Sequence, residues 1–282
     1  MAKYTNLDKR MKNNYENVAK TRLLRRTPVI IRIDGKAFHT FTRGMKKPFD
    51  EILIKSMQDT MKYLCENIQG CVFGYTQSDE ITLVLIDYQT LTTEAWFDYE
   101  VQKMCSIAAS MATMAFNKAF YKHFNQWGYE LLPNSWWEGG SNDLDEFEIY
   151  KANKDLIEAY NKAIQKGALF DARCFNIPRE EVTNNIYWRQ QDATRNSIQM
   201  VGQANFSQKE LNGKNCNVIQ DMLHEQKGIN WNDYPIEQKR GSACLRGERG
   251  WYIDHEMPIL KGEDREYIER LIREETYDKK QK

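Results

Sequence analysis

The first apolar run of the chain follows Pro28 and covers 29–33. A short apolar run behind a proline is typical of a buried strand, and this one stops at Asp34-Gly35. Over 49–68, apolar residues recur at three- and four-residue steps, which predicts an amphipathic helix. The pattern therefore predicts one strand followed by one helix.

Two further short apolar runs, 71–75 and 81–86, flank the polar stretch 76–80. Two strands joined by a short polar loop predict a hairpin. The predicted order in the first part of the chain is therefore β-α-β-β. A long helix is expected next, over 95–124, because its apolar face is rich in alanine and suits close packing on a sheet.

The stretch 133–154 is rich in Pro, Trp, Gly, Asn and acidic residues, which predicts a loop and the best internal boundary. We expect two regions, 1–132 and 133–282, although both fit one folded unit. The second region is predicted to be mainly helical, with a late hairpin over 244–253 and a capping box formed by Ser207 and Glu210. Its helices are predicted at 155–166, 179–202, 215–226 and 263–276.

The composition is that of a globular protein, with 41% hydrophobic and 28% charged residues. Forty basic residues balance forty acidic ones, so binding of nucleic acid would need a local patch. No apolar run suits a membrane span, and the six cysteines form no CxxC pair, so we expect a cytoplasmic protein with reduced thiols. Phosphate-loop, dinucleotide-binding, serine-hydrolase and zinc-hydrolase motifs are absent.

Carboxylates at strand ends are the remaining candidates for chemistry. Asp34 directly follows a predicted strand, and Asp79 and Glu80 occupy the predicted hairpin tip. Magnesium takes oxygen ligands, and two such ions can hold the attacking and leaving oxygens of an in-line displacement. The carbonyl of Gly35 is open to an ion because glycine has no side chain. Asp-Gly and Ser-Asp-Glu are also ordinary turn sequences, so the pattern alone leaves both interpretations open.

At these residues the chain resembles the tRNA-histidine guanylyltransferase family and its guanylyltransferase-like relatives, which are 3′-to-5′ polymerases. The matching stretches lie in order between residues 5 and 254. They are RIDGKAFH from Arg32, YTQSDE from Tyr75, KMCS from Lys103, FDAR from Phe170, WRQQD from Trp188, GKN from Gly213 and INWN from Ile229.

The resemblance implies an α+β fold with a polymerase- or cyclase-like palm: a β-α-β-β core and an antiparallel sheet backed by helices, with a mainly helical C-terminal extension. It implies an enzyme that adds nucleotides to the 5′ end of tRNA after ATP, or GTP in relatives, activates the 5′ phosphate. Two Mg²⁺ ions, tRNA, nucleoside triphosphates and a homotetramer belong to the same expectation.

By resemblance, metal would be bound by Asp34, the Gly35 carbonyl and Asp79, with Glu80 supporting the site. The alternative to this implied role is that Glu80 is a solvated acid at the hairpin tip. The implied nucleotide-binding residues are Lys36, Ala37, Phe38, His39, Lys47, Asp50, Ser78, Lys103, Ser106 and Arg173. The implied tRNA-binding residues are Arg26, Arg189, Asn196, Lys214 and Asn230. The pattern alone makes Lys47 and Asp50 a helix start and Arg173 a loop cation.

The chain departs from the family at Thr194, where the eukaryotic enzymes carry a histidine in a region linked to recognition of the histidine tRNA. This departure favours the relatives that repair 5′-truncated tRNAs over strict addition of G to tRNA-His. A second departure is Tyr99-Glu100, where the family often has arginines. Two other hypotheses stay open: a palm-fold nucleotide cyclase and a non-enzymatic tRNA-binding protein.

Overall fold

Three antiparallel strands form the centre of the sheet in the computed structural model, which describes residues 6–132 and 144–273. They are β1 (Val29–Gly35), β2 (Cys71–Gln77) and β3 (Glu80–Leu85). β3 lies between the other two, and its first residue, Glu80, pairs with Asp34 at the end of β1. The β2–β3 turn is shorter than the predicted loop, since only Ser78 and Asp79 separate the strands.

Three strands from the second half complete a six-stranded sheet in the order β4-β1-β3-β2-β5-β6. They are β4 (Phe170–Asn176), β5 (Ser242–Gly247) and β6 (Gly250–Asp254), and all pair antiparallel. The last two confirm the predicted late hairpin. Because strands on both sides of residue 132 share one sheet, we treat the chain as one folded unit.

Two helices cover one face of this sheet. They are α3 (Glu51–Asn67) and α4 (Val101–Leu131). Ala108 and Ala112 of α4 are fully buried in the same core as Ile31 of β1. Their small side chains let α4 lie close to the strands, as the alanine-rich face predicts.

The opposite face is covered mainly by α6 (Arg179–Asn205) and the chain around 257–272. Val182 and Ile186 of α6 share a core with Ile30 and Val84 of the sheet. Alternate residues of a strand point to the same face, so the polar continuation of this face beyond Ile30 is Arg32 and then Asp34. The candidate functional site lies at this polar end.

The other elements are short or lie at the periphery. The helices are α1 (Asn6–Met11), α2 (Phe38–Phe41), α5 (Leu144–Lys166), α7 (Gln208–Leu211), α8 (Cys216–Lys227), α9 (Ile236–Arg240) and α10 (Glu266–Glu269), with a π-helical turn at Lys12–Glu16. Turns of 3-10 helix occur at Trp96–Tyr99, Trp231–Asp233 and Gly262–Arg265. No described helix is long and apolar enough to cross a membrane.

Several predicted boundaries are wrong. The predicted loop 133–154 is helical from Leu144 onward; its residues 133–143 lie outside the described part of the chain. Three of the acidic residues that suggested a loop, Asp145, Glu146 and Glu148, instead occupy the first turns of α5, where the helix dipole favours them. The long helix begins at Val101 and not at 95, because Phe97 and Asp98 take left-handed conformations.

The predicted helix 263–276 is also wrong over its described part, since it breaks into a 3-10 turn and the one-turn helix α10. Residues 274–276 lie outside the described part of the chain. The helices predicted at 49–68, 179–202 and 215–226 are confirmed within a few residues. The capping box of Ser207 and Glu210 is confirmed by reciprocal hydrogen bonds.

Candidate active site

Two carboxylates meet at the end of the central strands. Asp34 lies near the end of β1, and Asp79 lies in the turn between β2 and β3. The amide of Gly35 donates a hydrogen bond of 3.0 Å to the Asp79 carbonyl, which fixes this turn against the end of β1. Burial raises the pKa of Asp79, and the negative charge of Asp34 raises it further. The two acids therefore repel each other, and a cation between them would relieve that repulsion.

Gly35 is required by the packing beside the acids. A Cβ atom built on this residue would lie 2.2 Å from the ring of Phe38. That ring is buried against Phe41, Phe116 and Phe170, at centroid distances of 5.1, 5.5 and 5.2 Å. Any other residue at position 35 would therefore displace a packed aromatic cluster next to Asp34.

The third predicted acid, Glu80, faces a buried ion-pair cluster. Its carboxylate accepts hydrogen bonds of 2.7 and 2.8 Å from Arg189 and lies 2.6 Å from Arg32. The side chains of Glu80 and Arg189 are only 4% and 7% exposed. The solvated-acid alternative for Glu80 is therefore wrong. Arg189 also pairs with Asp192 at 2.9 Å, so its donors are engaged inside the protein and its surface is not offered to tRNA.

A cleft of about 490 Å³ opens beside Asp79. Its lining includes eight of the predicted site residues: Gly35, Ala37, Phe38, His39, Lys47, Asp50, Ser78 and Asp79. The structure therefore brings three segments together: the turn between β2 and β3, the start of α2 and the loop before α3. Because Phe38 is only 5% exposed, its ring cannot stack on a ligand in this arrangement.

Asp50 shapes the wall of the cleft. It is buried, and its carboxylate accepts hydrogen bonds of 3.0 Å from the amides of Leu53 and Lys46 and of 2.6 Å from the Tyr160 hydroxyl. The first of these bonds caps α3, as the helix-start alternative predicts. Burial raises the pKa of Tyr160, and the neighbouring Asp50 carboxylate raises it further, so the hydroxyl stays a donor. The loop carrying Lys46 and Lys47 is thereby fixed to the rest of the molecule.

Four predicted nucleotide-binding residues lie outside the lining of this cleft: Lys36, Lys103, Ser106 and Arg173. All four are exposed. Lys103 places its ammonium 4.5 Å from the Phe97 ring centroid, and Arg173 pairs with Asp171 at 3.3 Å. Arg173 is on β4, directly opposite Arg32 of β1, so the loop-cation alternative is wrong.

The other predicted tRNA-binding residues are dispersed. Arg26 and Lys214 are exposed. Asn230 caps the turn at Trp231–Asp233, with its side-chain oxygen 3.1 Å from the Asn232 amide. Asn196 lies on α6, where it contacts Asp192 at 3.3 Å.

The cleft also contains residues that the sequence did not single out: Thr42, Met45, Lys46, Pro48, Leu53, Met200 and Gln203. Lys46 precedes the predicted residue Lys47 in the chain, so sequence reasoning could have included it. Met200 and Gln203 come from α6, more than a hundred residues from the rest of the lining in the chain. No local spacing connects them to the site, so only the folded structure shows their role.

An antiparallel sheet with paired carboxylates at adjacent strand ends, beside a cleft lined by lysines, defines a palm-type nucleotidyltransferase. The model of the tRNAHis guanylyltransferase (Thg1) family matches residues 8–178, which is more than half of the chain. The chain therefore belongs to the Thg1 family of tRNA guanylyltransferases. The fold and the enzyme class predicted from the sequence are both confirmed.

Solved structures and curated relatives agree with this assignment. A bacterial Thg1-like protein in complex with ATP is 39% identical, with a TM-score of 0.75 over 95% of this chain and 99% of the other. A bacterial Thg1-like protein in complex with GTP is 37% identical, with a TM-score of 0.71 over the same shares. The tRNA(His) guanylyltransferase of Saccharomyces cerevisiae is 25% identical over 77% of this chain and 82% of its own length.

Proposed function

We propose that this enzyme adds nucleotides to the 5′ end of tRNA in the 3′-to-5′ direction, after adenylylation of the 5′ phosphate by ATP, and that it serves tRNA 5′-end repair. The observation that carries the proposal is the pair Asp34 and Asp79, held together by the Gly35–Asp79 backbone hydrogen bond beside a cleft of nucleotide size. The ATP and GTP complexes of the bacterial Thg1-like proteins support nucleotide binding by this enzyme.

The residues at the strand ends fit two magnesium ions. Asp34, Asp79 and the Gly35 carbonyl supply hard oxygen donors, and the raised pKa of Asp79 marks a site short of positive charge. No cluster of three or more acidic, histidine or cysteine side chains suits a metal in the described ranges, so phosphate oxygens and water would complete the ligand set. When bound, the ions would neutralise phosphate charge and orient the attacking and leaving oxygens.

The cleft residues bind and position the nucleotide. The amides of Ala37, Phe38 and His39 at the start of α2 have no backbone acceptor among the described hydrogen bonds, so they remain free to donate to phosphate oxygens. Lys47 and His39 line the same cleft and add cationic or neutral donors. We assign triphosphate oxygens also to four exposed residues outside this lining: Lys36, Lys103, Ser106 and Arg173.

No protein nucleophile is required for either step. In the first, an oxygen of the tRNA 5′ monophosphate attacks the α-phosphorus of ATP and pyrophosphate leaves. In the second, the 3′-hydroxyl of an incoming nucleotide attacks the activated 5′ phosphorus and AMP leaves. Both are in-line displacements, so one set of positioned donors serves both.

Thr194 favours repair over strict addition of G to tRNA-His. It lies at the position of the family's histidine, and its hydroxyl donates a hydrogen bond of 3.0 Å to the Gln190 carbonyl inside its own helix. The Thr194 hydroxyl is therefore engaged by the backbone of its own helix. We also propose a homotetramer, on the family resemblance alone; sedimentation analysis of the purified protein tests it.

The proposal is tested with tRNAs that lack their first nucleotide, incubated with magnesium, ATP and each of the four nucleoside triphosphates in turn. We expect addition of the nucleotide complementary to the opposing 3′ strand, read by sequencing of the 5′ ends. Addition of G alone, and only to tRNA-His, would contradict the repair assignment. Cyclic nucleotide formed from labelled ATP or GTP without RNA would instead indicate a cyclase.

A further inference from the structure

Trp188 is a large aromatic side chain that the folded protein leaves open to solvent. It lies on α6 and is 53% exposed, although its neighbour Arg189 is buried. A single exposed apolar side chain is common in folded proteins, so the contacts of this ring and its place beside β1 decide its meaning.

The Trp188 ring is held in place by two fixed guanidinium groups. The Cζ atom of Arg189 lies 4.6 Å from its centroid and that of Arg32 lies 5.7 Å away. Both arginines are anchored by the buried carboxylate of Glu80. A ring fixed by such contacts loses little further freedom when a ligand stacks on it.

The position of Trp188 places it on the Asp34 side of the acid pair. Arg32 and Asp34 are alternate residues of β1, so they share a face of the sheet, and Trp188 contacts Arg32 on that face. The described lining of the nucleotide cleft includes Asp79 but neither Asp34 nor Trp188. Trp188 therefore lies outside the cleft, beside the strand that carries Asp34.

A reaction that joins a nucleotide to an RNA end needs both reactants at the acids, each on its own surface. With the nucleotide in the cleft, the surface around Trp188 is left for the RNA. The carboxylate of Glu80 offsets the positive charge of Arg32 and Arg189, so stacking rather than net charge must hold the base.

We propose that Trp188 is a stacking platform for the 5′-terminal nucleobase of the acceptor RNA, which places the 5′ phosphate at Asp34 and Asp79. The inference rests on the proposed function and adds a positioning residue to it. Base–aromatic stacking tolerates every base, because each has a π-face, which suits an enzyme that repairs different tRNA ends.

The test places the fluorescent base 2-aminopurine at the 5′ terminus of a truncated tRNA and compares full-length wild-type protein with Trp188→Leu and Trp188→Phe. We expect wild type and Trp188→Phe to quench the fluorescence, because both stack. Leucine covers the arginine stems without stacking, so Trp188→Leu should not quench, and its KM for tRNA should rise on the order of 10-fold with kcat nearly unchanged. Tyr252→Ala, at a residue of β6 that is 46% exposed, is the control and should match wild type.

Three results would overturn the inference. The first is quenching and turnover by Trp188→Leu like those of wild type. The second is quenching with 2-aminopurine riboside triphosphate and not with the RNA. The third is a change of oligomeric state on substitution, seen in sedimentation, which would make this surface an interface between copies. Failure of the proposed function looks different, since wild type itself would then add no nucleotide.

Discussion

At the scale of single residues, the consecutive acids Asp79 and Glu80 have opposite surroundings. Glu80 is neutralised by Arg32 and Arg189, whereas Asp79 faces Asp34 without a cationic partner that lowers its pKa. Sequence reasoning identified the two motifs that contain these three acids and gave Glu80 a supporting role, but it could not name the partners of Glu80. Arg189 is 109 residues from Glu80, so nothing in the local pattern announces their ion pair.

The first prediction concerns the folding stability of Asp79→Asn. The folded state raises the pKa of Asp79, so the folded protein loses stability as the pH rises from the ordinary aspartate value through the raised one. Without divalent ions, Asp79→Asn should therefore melt at a higher temperature than wild type at pH 7, and the gap should close as the pH falls to about 4. Magnesium should raise the melting temperature of wild type and not of the variant. A variant less stable than wild type at pH 7 would contradict this account.

The second prediction separates a buried from an exposed arginine. Arg189→Ala leaves the Glu80 carboxylate buried without its bidentate partner and should cost about 3–5 kcal/mol of unfolding free energy in urea. Arg195, whose side chain is 62% exposed, also pairs with Asp192. Its replacement by alanine should cost less than about 1 kcal/mol. Similar losses for the two variants would show that the Glu80 cluster is not a stabilising unit.

At the scale of elements, the strands and helices with regular apolar periodicity were predictable, and the edge strand β4 was not. Its residues 170–173 alternate apolar and polar, and the polar ones, Asp171 and Arg173, are exposed at the site. A four-residue motif with two charges resembles a loop when its pairing partner, β1, is far away in sequence. The start of α5 was missed for a related reason, since acidic residues are common both in loops and in the first turn of a helix.

The third prediction concerns the element that forms the cleft wall. Asp50→Ala removes the cap of α3 and leaves the Lys46 amide and the Tyr160 hydroxyl without their acceptor, which should cost about 2–4 kcal/mol. The KM for ATP should rise as well, because the loop carrying Lys46 and Lys47 loosens. Ser207→Ala, at the exposed cap of α7, is the matched control and should cost about 1 kcal/mol with no change in KM. An unchanged KM in Asp50→Ala would show that this loop does not position the nucleotide.

At the scale of the whole molecule, a chain with no net charge contacts a polyanion through local features. Forty basic and forty acidic residues leave no global field, and the predicted tRNA-binding residues Arg26, Asn196, Lys214 and Asn230 are spread over separate elements. The fold does bring acidic residues together at one end of the sheet. Strands from both halves of the chain frame Asp34, with Glu80 on one side and Asp171 on the other.

The central claim is that Asp34 and Asp79 act as one unit in nucleotide addition. The most direct measurement is the single-turnover rate of addition to a truncated tRNA that already carries a 5′ triphosphate, with saturating magnesium, for wild type, Asp34→Asn, Asp79→Asn and the double variant. Asp221→Asn, at an exposed residue of α8, controls for loss of an acid elsewhere. We expect either single variant to lose at least about 1,000-fold, with the double variant no worse, as for residues that act together, and Asp221→Asn to retain the wild-type rate. Near-normal addition by folded Asp34→Asn or Asp79→Asn would contradict the account.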